Sequence, residues 1–204
     1  MAFALSDTDG DGDTLPIALK IIVAGGFGVG KTTLVSSVSE IQPLLTEEYL
    51  TDESVGVDDT SGVEAKATTT VAMDFGRITL SDDLVLYLFG TPGQDRFDFM
   101  WEILGEGMLG YILLVDSSRP DSLDEAVGIL AAFRKMARVP FVVALNRSAG
   151  IDQGDETNVR AVLELGDEIP VVPCDATDRE SVKAVLLALL YSVLDEVEAE
   201  RATV

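Results

Sequence analysis

Gly25-Gly26-Phe27-Gly28-Val29-Gly30-Lys31-Thr32 fits the phosphate-binding pattern G-x-x-x-x-G-K-[ST] at every fixed position, and Thr33 follows it. Triphosphate oxygens need several backbone N–H donors converging on them, and glycines let the chain curl tightly enough to supply them. In this pattern Lys31 reaches the β- and γ-phosphates and the Thr32 hydroxyl holds Mg²⁺. Gly25, Phe27, Gly28, Val29, Gly30 and Thr33 form the rest of the expected cradle. The flanks are those the loop requires. Leu19 to Ala24 reads as a buried strand, and Thr32 to Val38 opens a helix whose positive N-terminal end faces the anion.

Composition narrows the partners. The chain has 204 residues, 47% of them hydrophobic, which suits one domain able to bury a sizeable core. Its 36 acids against 14 bases give a formal charge of −22, which argues against nucleic acid or an anionic membrane as a partner. Cys174 is alone, so no internal disulfide forms and a reducing cytosol is the natural compartment. Met1 to Leu5 lack the character of a signal peptide, Ala2 excludes N-myristoylation, and no C-terminal cysteine offers prenylation. No apolar run is long enough for a membrane helix. The expectation is a cytoplasmic protein without direct membrane insertion, recruited to a membrane, where it is, through a partner.

Residues 1–16 read as a flexible acidic leader ahead of a domain over 17–204. Asp7, Asp9, Asp11 and Gly12 match the opening of a calcium loop, but its twelfth position falls on Ala18, where a bidentate Glu is needed. Residues 40–67 are polar and without clear period, as functional loops often are. Thr70 to Leu80 and Leu84 to Phe89 flank Ser81-Asp82-Asp83 as a β-hairpin. Gly110 to Val115, Pro140 to Leu145 and Ile169 to Val172 are short apolar runs suited to buried strands. Helical patterns occupy 122–138, 155–165 and 179–198. This alternation predicts an α/β fold: a P-loop NTPase with a mostly parallel six-stranded sheet, one antiparallel hairpin strand, and helices on both faces.

The segment Leu88-Phe89-Gly90-Thr91-Pro92-Gly93-Gln94-Asp95-Arg96-Phe97 narrows the class, because it resembles the D-x-x-G-Q switch II region of Ras-like small GTPases. With Thr68-Thr69-Thr70-Val71-Ala72-Met73-Asp74-Phe75-Gly76 it is similar to one bacterial branch, the GTPases of actinobacterial conservon operons, related to the gliding-motility GTPase MglA. The resemblance implies GTP/GDP and Mg²⁺ as ligands. It gives Gly93 an N–H to the γ-phosphate, Gln94 the orienting of the attacking water, and Thr70 a place on Mg²⁺. It also implies a roadblock/LC7-fold protein as direct partner and, indirectly, a membrane histidine-kinase-like sensor.

Two departures from that pattern matter. Ras-like proteins carry an aspartate where Gly90 stands, and Asp74 on the neighbouring strand is the candidate carboxylate in its place, the alternative being a solvent-facing strand aspartate. The guanine-reading N-K-x-D becomes Asn146-Arg147-Ser148-Ala149. Asn146 can still brace the loop and the Arg147 stem can still cover the base, but Ala149 accepts no hydrogen bond. Asp152 is near in sequence. Cys174-Asp175-Ala176 stands where the family has S-A-K, so the Ala176 N–H is expected to read the base, while Cys174 packs.

Three functions fit these residues. The first is a GTP-binding switch with slow hydrolysis, its arginines being scattered and none clearly placed as a built-in finger. The second is a nucleotide-holding docking module without significant turnover, which Gly90 and Ala149 favour. The third is a P-loop kinase for a small metabolite, which leaves the G-T-P-G-Q segment without a role.

Overall fold

The computed structural model describes residues 16–42, 46–50, 69–93, 99–147 and 153–202. Residues 1–15 of the acidic leader, with its calcium-like run, and Gln94, Ala149 and Asp152 lie outside these residues.

The strands are β1 (Ile17–Ala24), β2 (Thr46–Leu50), β3 (Thr69–Ser81), β4 (Leu84–Gly90), β5 (Gly110–Asp116), β6 (Phe141–Asn146) and β7 (Val171–Cys174). The helices are α1 (Lys31–Val38), α2 (Phe99–Gly105), α3 (Pro120–Met136), α4 (Gln153–Val162) and α5 (Arg179–Ala202). The sheet runs β2-β3-β4-β1-β5-β6-β7. β1 lies parallel to β4 and β5, and β6 parallel to β5 and β7, whereas β3 is antiparallel to β4 and to β2.

The expected fold class holds, with one strand added. β2 falls inside the stretch read as loop and lies at the sheet edge beside β3. Its sequence Thr-Glu-Glu-Tyr-Leu carries no apolar alternation; backbone hydrogen bonds to β3 define it. Elsewhere the elements match the expected ones within a few residues at each end. The short α2 was not foreseen.

The period of two along each strand divides the core into two layers. Ile21, Val23, Leu86, Leu88, Ile112 and Leu114 pack with Leu34, Val35 and Val38 of α1 and with Val182, Val185 and Leu189 of α5. Ile22, Ala24, Leu113, Val115, Val143 and Leu145 face the other way, onto Trp101 of α2 and Ile129, Leu130 and Phe133 of α3. All seven residues of β5 are therefore buried, as expected for a central parallel strand covered by helices on both faces. The carboxyl ends of β1, β4, β5, β6 and β7 lie along one edge of the sheet, where ligands of such folds bind.

Candidate nucleotide-binding site

The loop between β1 and α1 is shaped by left-handed backbone. Gly28 and Gly30 have φ of 74° and 108°, a region where side chains are strained. At Gly30 a Cβ would also come within 2.6 Å of Asn146 Nδ2. Gly30 then caps α1, its carbonyl accepting from the Leu34 N–H at 2.9 Å. Val29 is buried, whereas Phe27 projects outward.

Lys31 lies at the start of α1 and is itself buried, with Nζ donating to the carbonyls of Gly25 at 2.7 Å and Gly26 at 2.6 Å. Burial pulls its pKa down from 10.5 to about 8, against the upward pull of the Asp74 and Glu125 carboxylates. The two carbonyl dipoles and these carboxylates do not make up for the burial, so a polyphosphate would find the cation under-compensated. Gly93 packs closely here: a Cβ on it would stand 2.7 Å from Lys31 Nζ. The strand-end loop before it is fixed by the Thr91 N–H on the Val23 carbonyl at 3.0 Å, and by Trp101 Nε1 donating to the Pro92 carbonyl at 3.3 Å.

Thr32 Oγ1 donates to Asp74 Oδ2 at 2.8 Å. Asp74 is buried, so it is not the solvent-facing strand aspartate the sequence left open. It stands opposite Gly90 in the β3–β4 ladder. A Cβ at Gly90 would come within 2.7 Å of Asp74 Oδ2 and 2.9 Å of its Cβ, so the missing side chain at position 90 is the room Asp74 occupies. Burial raises the Asp74 carboxyl above its usual range, opposed by the Thr32 hydrogen bond and the Lys31 charge. A hydroxyl and a carboxylate in contact form a hard-oxygen pair suited to Mg²⁺, which is usually bound through one or two carboxylates and keeps several waters. Thr70 pairs through its backbone with Tyr49 of β2.

Asn146 ties the site together. Its Nδ2 donates to the Val29 carbonyl at 2.8 Å, while Oδ1 accepts from the N–H groups of Arg147 at 2.9 Å and Ala176 at 3.0 Å. One buried amide thus joins the phosphate loop, the end of β6 and the loop after β7. The Ala176 N–H, expected to read the base, is directed at this amide. Asn146→Ala should cost about 2–4 kcal/mol in urea unfolding, because it strands these partners in the interior.

Arg147 adopts φ 59° and forms an ion pair with Asp116, whose side chain is fully buried. Burial would raise the Asp116 carboxyl, but hydrogen bonds from Ser118 and the Arg147 charge outweigh it and hold it low. Nothing in the sequence marks this pair. The parallel register that sets Asp116 beside Asn146 supplies it. Arg119, one of the scattered arginines of the sequence, donates from Nη1 to the Phe27 carbonyl at 3.1 Å. Asp175 turns its own loop, Oδ1 accepting from the Thr177 N–H at 2.9 Å and hydroxyl at 2.6 Å, which keeps its carboxyl low. Cys174 is buried, and burial pushes its thiol up to about 11, as for a packing residue.

A Gly-rich loop opening a helix, a buried lysine within it and a hydroxyl–carboxylate pair beside it define a P-loop nucleotide-binding protein. More particularly, residues 23–196 match the family described as "Conserved hypothetical ATP binding protein", and the chain belongs to that family. An uncharacterized protein of Methanocaldococcus jannaschii is 31% identical over 138 residues, spanning 67% of this chain and 73% of its own. The Ras-related protein Rab-7b of Mus musculus is 31% identical over 110 residues, 53% of this chain and 46% of that protein. No helix among the described residues is long and apolar enough to cross a membrane.

Proposed function

We propose that this chain is a GTP-binding switch that hydrolyses GTP slowly and signals through the segments that contact the γ-phosphate. The observation that supports the reading is the Asn146 brace between Val29 and Ala176, because it joins the phosphate loop to the loops after β6 and β7, which in the resembled family read the base. The likeness to a Ras-related protein over 110 residues supports the choice of class.

In this reading the loop N–H groups and Lys31 hold the β- and γ-phosphates. Gln94 orients a water whose oxygen bonds to the γ-phosphorus as the bond to the bridging oxygen breaks. Thr32, Thr70 and Asp74 would hold Mg²⁺, which supplies charge neutralisation on the phosphate oxygens. Loss of the γ-phosphate releases residues 40–70 and 90–107, the switching segments. With Ala149 at the guanine-reading position, preference for GTP over ATP is modest. The cellular setting that goes with this reading is a conservon-type bacterial signalling system. A roadblock/LC7-fold protein docks on the GTPase there, and a membrane histidine-kinase-like sensor acts upstream.

Single-turnover hydrolysis of GTP and ATP tests the proposal. Expected are binding of both nucleotides with GTP favoured, and slow GTP turnover. Gln94→Ala should slow that turnover by about 10²-fold at nearly unchanged affinity, as for loss of a positioning group. Binding without turnover under any condition would support the nucleotide-holding docking module instead.

A further inference from the structure

Helix α5 is apolar on two faces. Val182, Val185 and Leu189 enter the core, as an amphipathic helix requires. On the opposite side Leu187, Tyr191 and Leu194 are 52%, 64% and 50% exposed, and among the described residues nothing covers them. Their spacing of four and three residues keeps them on one stripe of the helix.

The same stripe continues into charge at both ends, in an order that matters. Running toward the C-terminus it reads Glu180, Lys183, Leu187, Leu190, Tyr191, Leu194, Glu198, Arg201, with Leu190 at its margin and partly packed against the core. Reversed about the midpoint between Leu190 and Tyr191, Glu180 falls opposite Arg201 and Lys183 opposite Glu198. Leu187 then falls opposite Leu194, and Leu190 opposite Tyr191. The stripe is therefore complementary to itself when antiparallel. A two-fold axis makes this kind of contact, in which the same patch serves both subunits.

We propose that α5 is a self-association surface, and that its occupant is α5 of a second copy of this chain, antiparallel across a two-fold axis between Leu190 and Tyr191. The Glu180–Lys183 pair, 2.7 Å apart within one helix, then meets Glu198 and Arg201 of the other copy as a four-charge cluster. The helix is about 36 Å long, and a single helix pair buries less than the roughly 1,200 Å² of a stable complex. The dimer is thus weak and concentration-dependent. The formal charge of −22 on each copy opposes it, so added salt strengthens association until the end pairs are screened in turn. No residue of the contact belongs to the phosphate loop, so the proposal does not depend on which nucleotide binds there.

Sedimentation equilibrium on the full chain over a wide concentration range tests this. Wild type should show a monomer–dimer equilibrium, and Leu194→Asp should abolish it with an unchanged circular dichroism spectrum. Lys183→Glu and Glu198→Lys should each weaken the dimer roughly tenfold, since each variant places like charges opposite one another twice. Mixing those two variants should restore dimerisation, because every reversed residue then faces its opposite in the other copy. A wild type that stays monomeric throughout would overturn the proposal and leave the face to a different partner. Unchanged mass for Leu194→Asp would overturn it as well. So would a mixture no tighter than its components. If Leu194→Asp lowers the melting temperature of a protein that is monomeric with or without it, the stripe is covered by another segment of the same chain, and the proposal fails.

Discussion

Lys31→Ala is expected to weaken triphosphate binding by about 10²–10³-fold while leaving the fold intact, the range expected when one partner of a desolvated charge pair is removed. The fold should survive because Lys31 contributes no packing that the core requires. Its amine rests on two carbonyls of the same loop, and its charge is held there at a cost, with the pKa drawn down from 10.5 to about 8. That shift gives a second readout. Between pH 8 and 10.5 the unfolded chain holds a proton on Lys31 that the folded, unliganded protein has released. Its stability should therefore rise with pH across that window. Nucleotide affinity should fall over the same range, since the phosphates require the ammonium. Calorimetric titration and urea unfolding at several pH values measure both trends. Lys31→Ala should flatten this lysine's contribution to each. Unchanged nucleotide affinity in a folded Lys31→Ala variant would remove the phosphate loop from the site.

The parts of this site that could be read from sequence are those made by neighbours along the chain. The phosphate loop is a contiguous run whose glycines and lysine act within a few residues of one another. The buried strands are marked by short apolar runs, and the hairpin by Ser81-Asp82-Asp83 between its strands. What could not be read is how separate elements meet. Counted from Leu80 and Leu84 across the turn, Asp74 already falls opposite Gly90, but the count does not say whether its side chain is buried or what it touches. The ladder has that pairing, with an irregularity only at Thr79 and Ser81 beside the turn. The contact of Asp74 with Thr32 of α1 is what the strand count does not supply. The pairing of Arg147 with Asp116 joins positions 31 residues apart, through strands whose order the sequence implied but whose alignment it did not. β2 escaped notice because an edge strand can be held by backbone bonds while its side chains stay polar.

The pairing of Asp74 with Gly90 gives the other large expected effect. If Asp74 stands in for a carboxylate that Gly90 cannot supply, function and stability should respond to it in opposite directions. Asp74→Asn keeps an acceptor for the Thr32 hydroxyl but removes a buried charge. Because burial raises the carboxyl above its ordinary value, its ionised form costs folding free energy at neutral pH. The unliganded variant should therefore be at least as stable as wild type near neutrality. Across the acid range between the two pKa values, wild-type stability falls as pH rises, and Asp74→Asn should lose that slope. Its Mg²⁺-dependent nucleotide affinity should nevertheless drop by about 10–100-fold, the usual loss when a residue near the metal is changed. Gly90→Asp alone should unfold readily, since its Cβ would stand 2.7 Å from Asp74 Oδ2, with two carboxylates forced together. The pair Asp74→Gly with Gly90→Asp moves the carboxylate across the ladder and removes the clash, so it should fold and recover Mg²⁺ dependence. Recovery is the decisive outcome, because a residue that only steadied Thr32 from β3 would not be replaced by an aspartate on β4. If the double variant folds yet binds nucleotide as weakly as Asp74→Asn, Asp74 is a positioning residue for Thr32 and the metal carboxylate lies elsewhere.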